Sequence, residues 1–155
     1  MTHSLFLHSN SLLLFAHFMA IIVFVLAQSL VVIYGVFLSA NSTAREKLRL
    51  LHASFLTQGV CLLFLLVTAV VLCYGQNYEP MGEMLQTSNI VIAAFIVINL
   101  CYMIFKLNEA KREFLRGEAM WLKENFVLIV YYFTPLNLIL TLIAAYIGLR
   151  MRLFH

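Results

Sequence analysis

Two histidines stand inside long apolar runs, His17 in "LLLFAHFMAIIV" and His52 in "LRLLHASFL". An ionisable side chain in such a setting is costly enough to suggest a role. Imidazole is a standard axial ligand for haem iron, so haem is the first chemistry to test, with a quinone contact beside it. The blander reading is a hydrogen-bonded structural histidine for His17 and an interfacial one for His52. Spacing decides one point. His17 lies about six residues into its apolar run, roughly 9 Å at a helical rise. His52 lies in the first turn of the next run, which enters from the opposite side. The two are therefore not expected to clamp one haem together. At the depth of His17 the sequence offers Thr68, Tyr74, Thr141 and Tyr146 as neighbours, and near His52 it offers Tyr34, Tyr102 and Asn125. His3, His8 and His155 are terminal and expected to be solvated.

The second candidate is a set of neutral polar residues near the middle of the apolar runs: Gln28, Gln58, Asn99 and Asn137, with Ser29 and Thr57 beside them. Each run contributes at least one. Lipid cannot satisfy a side-chain amide, so these groups should face one another or a partner subunit. Interhelical bonds of this kind average roughly 0.6 kcal/mol, so they specify register more than they add stability. The alternative is a small polar site or the lining of a narrow path. Pro135 belongs to the same layer. It has no N–H, so the carbonyl of Tyr131 loses its helical partner, and a kink is expected there, with Thr134 and Asn137 near enough to help.

Other chemistry is thinly represented. The sequence has no HExxH, no GxSxG and no Gly-rich phosphate loop. There is no Asp, and the seven acidic residues are glutamates in connections or at run edges, so no carboxylate, Lys or Arg lies mid-run. An ion pump or proton-driven carrier usually keeps an ionisable group in its path. Cys61, Cys73 and Cys101 are odd in number, apolar in setting and without a CxxC, which reads as packing rather than redox or metal chemistry.

The elements that must position these residues follow from composition. The 155-residue chain is 63% hydrophobic and 11% charged, with a mean hydropathy of +0.95. Soluble domains are about a quarter charged. The bilayer is thus the expected solvent and lipid contacts are expected throughout. A spanning helix takes about 20 apolar residues, and four segments qualify: about 11–39, 50–74, 89–105 and 125–149. The third is expected to continue as a charged extension to about 116, where Glu109/Arg112 and Glu113/Arg116 have helical spacing and Gly117 is a stop signal. The expected fold is an all-α membrane protein, one antiparallel four-helix transmembrane bundle over residues 1–155 with short loops. Loops 40–49 and 106–124 hold eight of the ten basic residues. The positive-inside rule places both loops in the cytoplasm and both termini outside, with the bacterial inner membrane as the expected location. The first ten residues carry no Lys or Arg, which argues against a secretory signal.

In size and helix count the chain resembles the haem-handling four-helix membrane proteins of the protoporphyrinogen oxidase and copper-resistance type, with His17 the one residue carrying the likeness. It departs from the oxidase group in lacking an intramembrane Lys, and no residue role is transferred. The expected function is a non-catalytic accessory, assembly or structural subunit of a larger membrane complex, of respiratory, energy-transducing or transport type. A haem- or quinone-binding redox protein using His17 is the alternative. A small oligomeric channel or carrier lined by the midplane amides is the third.

Overall fold

A computed structural model describes residues 2–73, 80–117 and 119–151. The chain is all-helical. Helix α1 is Thr2–Ile33, α2 is Ala44–Cys73, α3 is Pro80–Arg116, α4 is Ala119–Val127 and α5 is Thr134–Met151. Two π-helical turns interrupt this order: Tyr34–Leu38 follows α1, and Leu128–Phe133 joins α4 to α5. Among the described residues four helical segments are long and apolar enough to cross a membrane: Ser11–Leu38, Ala44–Cys73, Met81–Arg116 and Lys123–Met151. Long apolar side chains cover the outside, including Phe15, Leu30, Phe37, Leu63, Val70, Phe95, Ile98 and Leu136. The fully buried set holds Gln28, Gln58, Thr134 and Asn137 beside apolar residues such as Phe24, Leu51 and Met103. An exterior this apolar suits a chain whose surface meets hydrocarbon.

Several boundaries differ from those read in the sequence. Helix α3 starts at Pro80 rather than near Asn89, so much of the expected 75–88 connection is helix. Proline suits a first turn, where its missing N–H has no intrahelical acceptor to serve. Helix α2 starts at Ala44 rather than near Leu50. "TARE" explains this. Glu46 Oε2 accepts from the Thr43 N–H at 2.8 Å, and Thr43 Oγ1 accepts from the Glu46 N–H at 3.3 Å. This reciprocal capping box satisfies two donors that a helix start leaves open. Helix α3 ends at Arg116, and Gly117 has a φ of 84°, a left-handed conformation that glycine adopts without steric cost. Along the charged stretch Glu113 pairs with Arg116 at 3.7 Å, but Glu109 pairs with Lys106 at 2.7 Å rather than with Arg112. Tyr74 and the terminal His3, His8 and His155 fall among residues whose side chains lie outside the described set.

The interior has three tiers. At one end is an apolar core built from Val31, Leu51, Phe55, Leu100, Met103, Leu107, Phe126, Ile129 and Val130. The buried positions of α3, Ile96, Asn99, Leu100, Met103, Leu107 and Ala110, recur at three- and four-residue steps and form one helical face. Beyond that core come the buried amides. The His17–Thr68 contact lies further along α1 and α2.

The two π-helical turns meet. Gly35 of the first lies against Val130 of the second, so closely that a Cβ on Gly35 would overlap Val130 Cγ1. Tyr131 donates its hydroxyl to the Gly35 carbonyl at 3.0 Å, and Ser39 Oγ donates to the same oxygen at 2.6 Å. Pro135 accounts for the second turn. Its ring crowds the preceding turn and it brings no N–H, so the helix widens just upstream. The backbone N–H of Thr134 bonds Ile129 O across this turn, and side chains add to it, though at other carbonyls than the Tyr131 carbonyl expected from the sequence. Thr134 Oγ1 donates to Ile129 O at 2.8 Å, and Asn99 Nδ2 donates to Phe133 O at 3.0 Å.

Candidate functional site

The buried amides form two hydrogen-bonded branches that meet at the Ala27–Gln28 peptide and together span all four long helical segments. Asn99 of α3 donates to Asn137 Oδ1 of α5 at 3.3 Å as well as to Phe133 O. Thr141, one turn further along α5, donates its hydroxyl to Asn137 O at 2.7 Å. The Thr141 hydroxyl oxygen in turn accepts from Gln28 Nε2 of α1 at 3.5 Å. On α2, Gln58 Nε2 donates to Ser54 Oγ at 3.0 Å, and Ser54 in turn donates to Ala27 O at 3.1 Å, the carbonyl preceding Gln28. Gln28, Gln58 and Asn137 are each 0% exposed. All four amides named from the sequence therefore join one network. Ser54, Thr141 and the backbone carbonyls of Ala27, Phe133 and Asn137 link them. The hydroxyls were harder to find, because Ser and Thr are common in helices and only their pairing with an amide gives them meaning.

Their chemistry is that of neutral donors and acceptors. Among the described residues no group of three or more His, Cys, Asp or Glu stands together to hold a metal ion. Every amide nitrogen but one, and every hydroxyl in the network, already has an acceptor in the protein. The amides tie helix positions to one another and fix their rotation.

His17 lies outside this network. Its Nδ1 sits 2.6 Å from Thr68 Oγ1 on α2, one of the four neighbours its depth had suggested. Thr68 Oγ1 is also 2.8 Å from Phe64 O and 3.1 Å from Leu65 O. Which group donates follows the tautomer: where the Thr68 proton stays with a backbone carbonyl, the imidazole donates from Nδ1 and Nε2 keeps a lone pair. Of the other three suggested neighbours, Thr141 belongs to the amide network, Tyr146 accepts from Arg150 Nε at 3.0 Å, and Tyr74 lies outside the described residues. His52 is exposed near the start of α2, and no contact joins it to His17. Of its expected neighbours, Tyr102 packs against Phe133 at 4.8 Å between ring centroids, and Asn125 is buried.

A groove of about 250 Å³ opens on the outer face between α3 and the fourth long segment. Phe95, Ile98, Tyr102, Phe133, Leu136 and Leu140 line it, and Asn99 contributes to its wall. Nothing in the residue pattern announces it. It forms where Tyr102 and Phe133 pack beside the π-helical turn that precedes Pro135.

Compared with protein-family models, with curated proteins and with solved structures, the chain shows no match in any of the three.

Proposed function

We propose that this chain is an integral membrane protein, an antiparallel four-helix transmembrane bundle, acting as a non-catalytic accessory or assembly subunit against a larger membrane complex of respiratory, energy-transducing or transport type. The groove beside Tyr102 and Phe133 carries this reading. It offers a concave, aromatic-rich seat on an outer face whose neighbours Phe95, Ile98 and Leu136 are exposed, and an apolar helix of a partner would fill it. The amide network supports it too, because groups that satisfy one another fix a scaffold. The same network favours packing over a channel or carrier lined by Gln28, Asn99 and Asn137, since their bonds run between helices. The basic stretches 40–49 and 106–124 favour an orientation with those segments cytoplasmic and the termini outside, in the bacterial inner membrane. Under mild detergent extraction the protein should co-purify with larger membrane partners. Phe133→Ala, which opens the groove wall, should reduce that recovery several-fold. A clean monomeric peak under the same extraction would overturn the assignment.

The His17–Thr68 contact favours a second reading, a haem- or quinone-binding redox protein. An imidazole held through Nδ1 by a side-chain oxygen presents Nε2 in a fixed direction, as metal-bound histidines do. That lone pair suits haem iron, or the hydroxyl of a quinol better than a quinone carbonyl. Protein purified from haem-supplied cells should then show a Soret band that His17→Ala abolishes and Thr68→Val weakens. A band unchanged in His17→Ala would remove His17 from the site, and a colourless preparation would remove haem.

A further inference from the structure

We infer that the amide network encloses a binding site for one ordered water, held by Asn137 Nδ2, Gln28 Oε1 and Gln58 Oε1. These three atoms are buried and have no hydrogen-bond partner among the described residues, although each belongs to a side chain whose other end is bonded. Those other bonds orient each amide. Gln28 turns its nitrogen to Thr141, whose proton goes to Asn137 O. Gln58 turns its nitrogen to Ser54, whose proton goes to Ala27 O. Asn137 turns its oxygen to Asn99 Nδ2. In this set of orientations the open atoms are one donor and two acceptors.

Their connections place them in one neighbourhood. Gln28 and Asn137 both reach Thr141, and Gln58 is tied through Ser54 to Ala27, the residue before Gln28. The set selects its ligand. A cation would be repelled by the Asn137 N–H, an anion by two amide oxygens, and an apolar group would leave all three unsatisfied. Water supplies two protons to the glutamine oxygens and a lone pair to the asparagine nitrogen, within the two to four partners that buried waters usually have. Leaving three buried polar atoms open is far more costly than holding one water in place. The fourth open atom, Asn89 Oδ1, is not tied into this network. Asn89 Nδ2 lies 4.0 Å from where a Cβ on Gly148 would be.

Water-edited solid-state NMR on the full isotope-labelled chain in lipid bilayers tests this. Magnetisation from water should reach the Asn137 side-chain NH2 as fast as it reaches exposed connection amides, although the residue is fully buried. Gln58→Met should cut that transfer several-fold and Gln28→Met/Gln58→Met should abolish it, with the backbone spectrum otherwise retained. No transfer to Asn137 in the unsubstituted protein would overturn the site, and so would transfer unchanged in the double variant. The first measurement needs no variant, so a substitution that prevents folding cannot shield the inference.

Discussion

Gly35→Ala is expected to destabilise the fold by about 3 kcal/mol, at the upper end of what overpacking costs. The added methyl would overlap Val130 Cγ1 and lie 3.1 Å from Val130 Cβ and 3.3 Å from Cγ2. Rotating the valine does not relieve this, since its Cβ is itself too near. Moving the backbone apart is no easier. Val130 is fully buried beside Val31 and Ile129, and Tyr131 is bonded to the Gly35 carbonyl. The two π-helical turns would have to separate, with loss of that bond as well. Val130→Ala should recover much of the loss. It removes both clashing γ carbons but keeps the near Cβ, so the double variant should lie about 1 kcal/mol below Val130→Ala alone and show a coupling of about 2 kcal/mol. Gly59→Ala is the matched control. Nothing lies within 4 Å of a Cβ there, so it should be neutral or stabilising by about 0.5–1 kcal/mol through helix propensity. Unfolding in detergent, followed by helical circular dichroism, reads all four proteins. Equal losses for Gly35→Ala and Gly59→Ala would mean that the contact of the two turns does not constrain the fold.

Why that contact escaped sequence reasoning is instructive. Apolar run lengths were enough to find four membrane-length helices, because hydropathy depends on composition over about 20 residues and not on partners. The amides were legible for a related reason: a Gln or Asn in an apolar run must find a partner, and only other helices can offer one. The histidine at depth likewise brought Thr68 into view. Gly35 carried no such signal. Its neighbours "VIYGVFL" read as ordinary helix, and its meaning depends on Val130, far along the chain. Pro135 announced a disturbance, yet not its form. Whether a proline kinks a helix or widens it into a π turn depends on which donors stand nearby, here Thr134 and Asn99. The early start of α2 was missed for a different reason. Thr43 and Glu46 have the capping-box spacing, but they sit in a basic stretch that reads first as a loop.

Asn99→Leu should cost about 2–3 kcal/mol, well above the roughly 0.6 kcal/mol average for a bond between membrane helices. The difference lies in what the substitution leaves behind. Asn99 Nδ2 serves two acceptors, Phe133 O at 3.0 Å and Asn137 Oδ1 at 3.3 Å. A leucine of similar size fills the space and strips Asn137 Oδ1 of its donor in a buried setting, which costs about 1–3 kcal/mol. Phe133 O loses only its second donor, because the first turn of α5 still offers it a helical N–H. Asn137→Leu should cost less, about 1 kcal/mol. It removes an amide whose nitrogen has no acceptor among the described residues, and Asn99 keeps its bond to Phe133 O. The double variant separates the two contributions. With both amides gone the Asn137 oxygen no longer matters and Phe133 O lacks only its second donor, so the double variant should cost less than the sum of the singles and be slightly less stable than Asn137→Leu alone. Additive losses would place the cost in packing. A double variant as stable as Asn137→Leu alone would show that the bond from Asn99 to Phe133 O adds nothing to the widened turn.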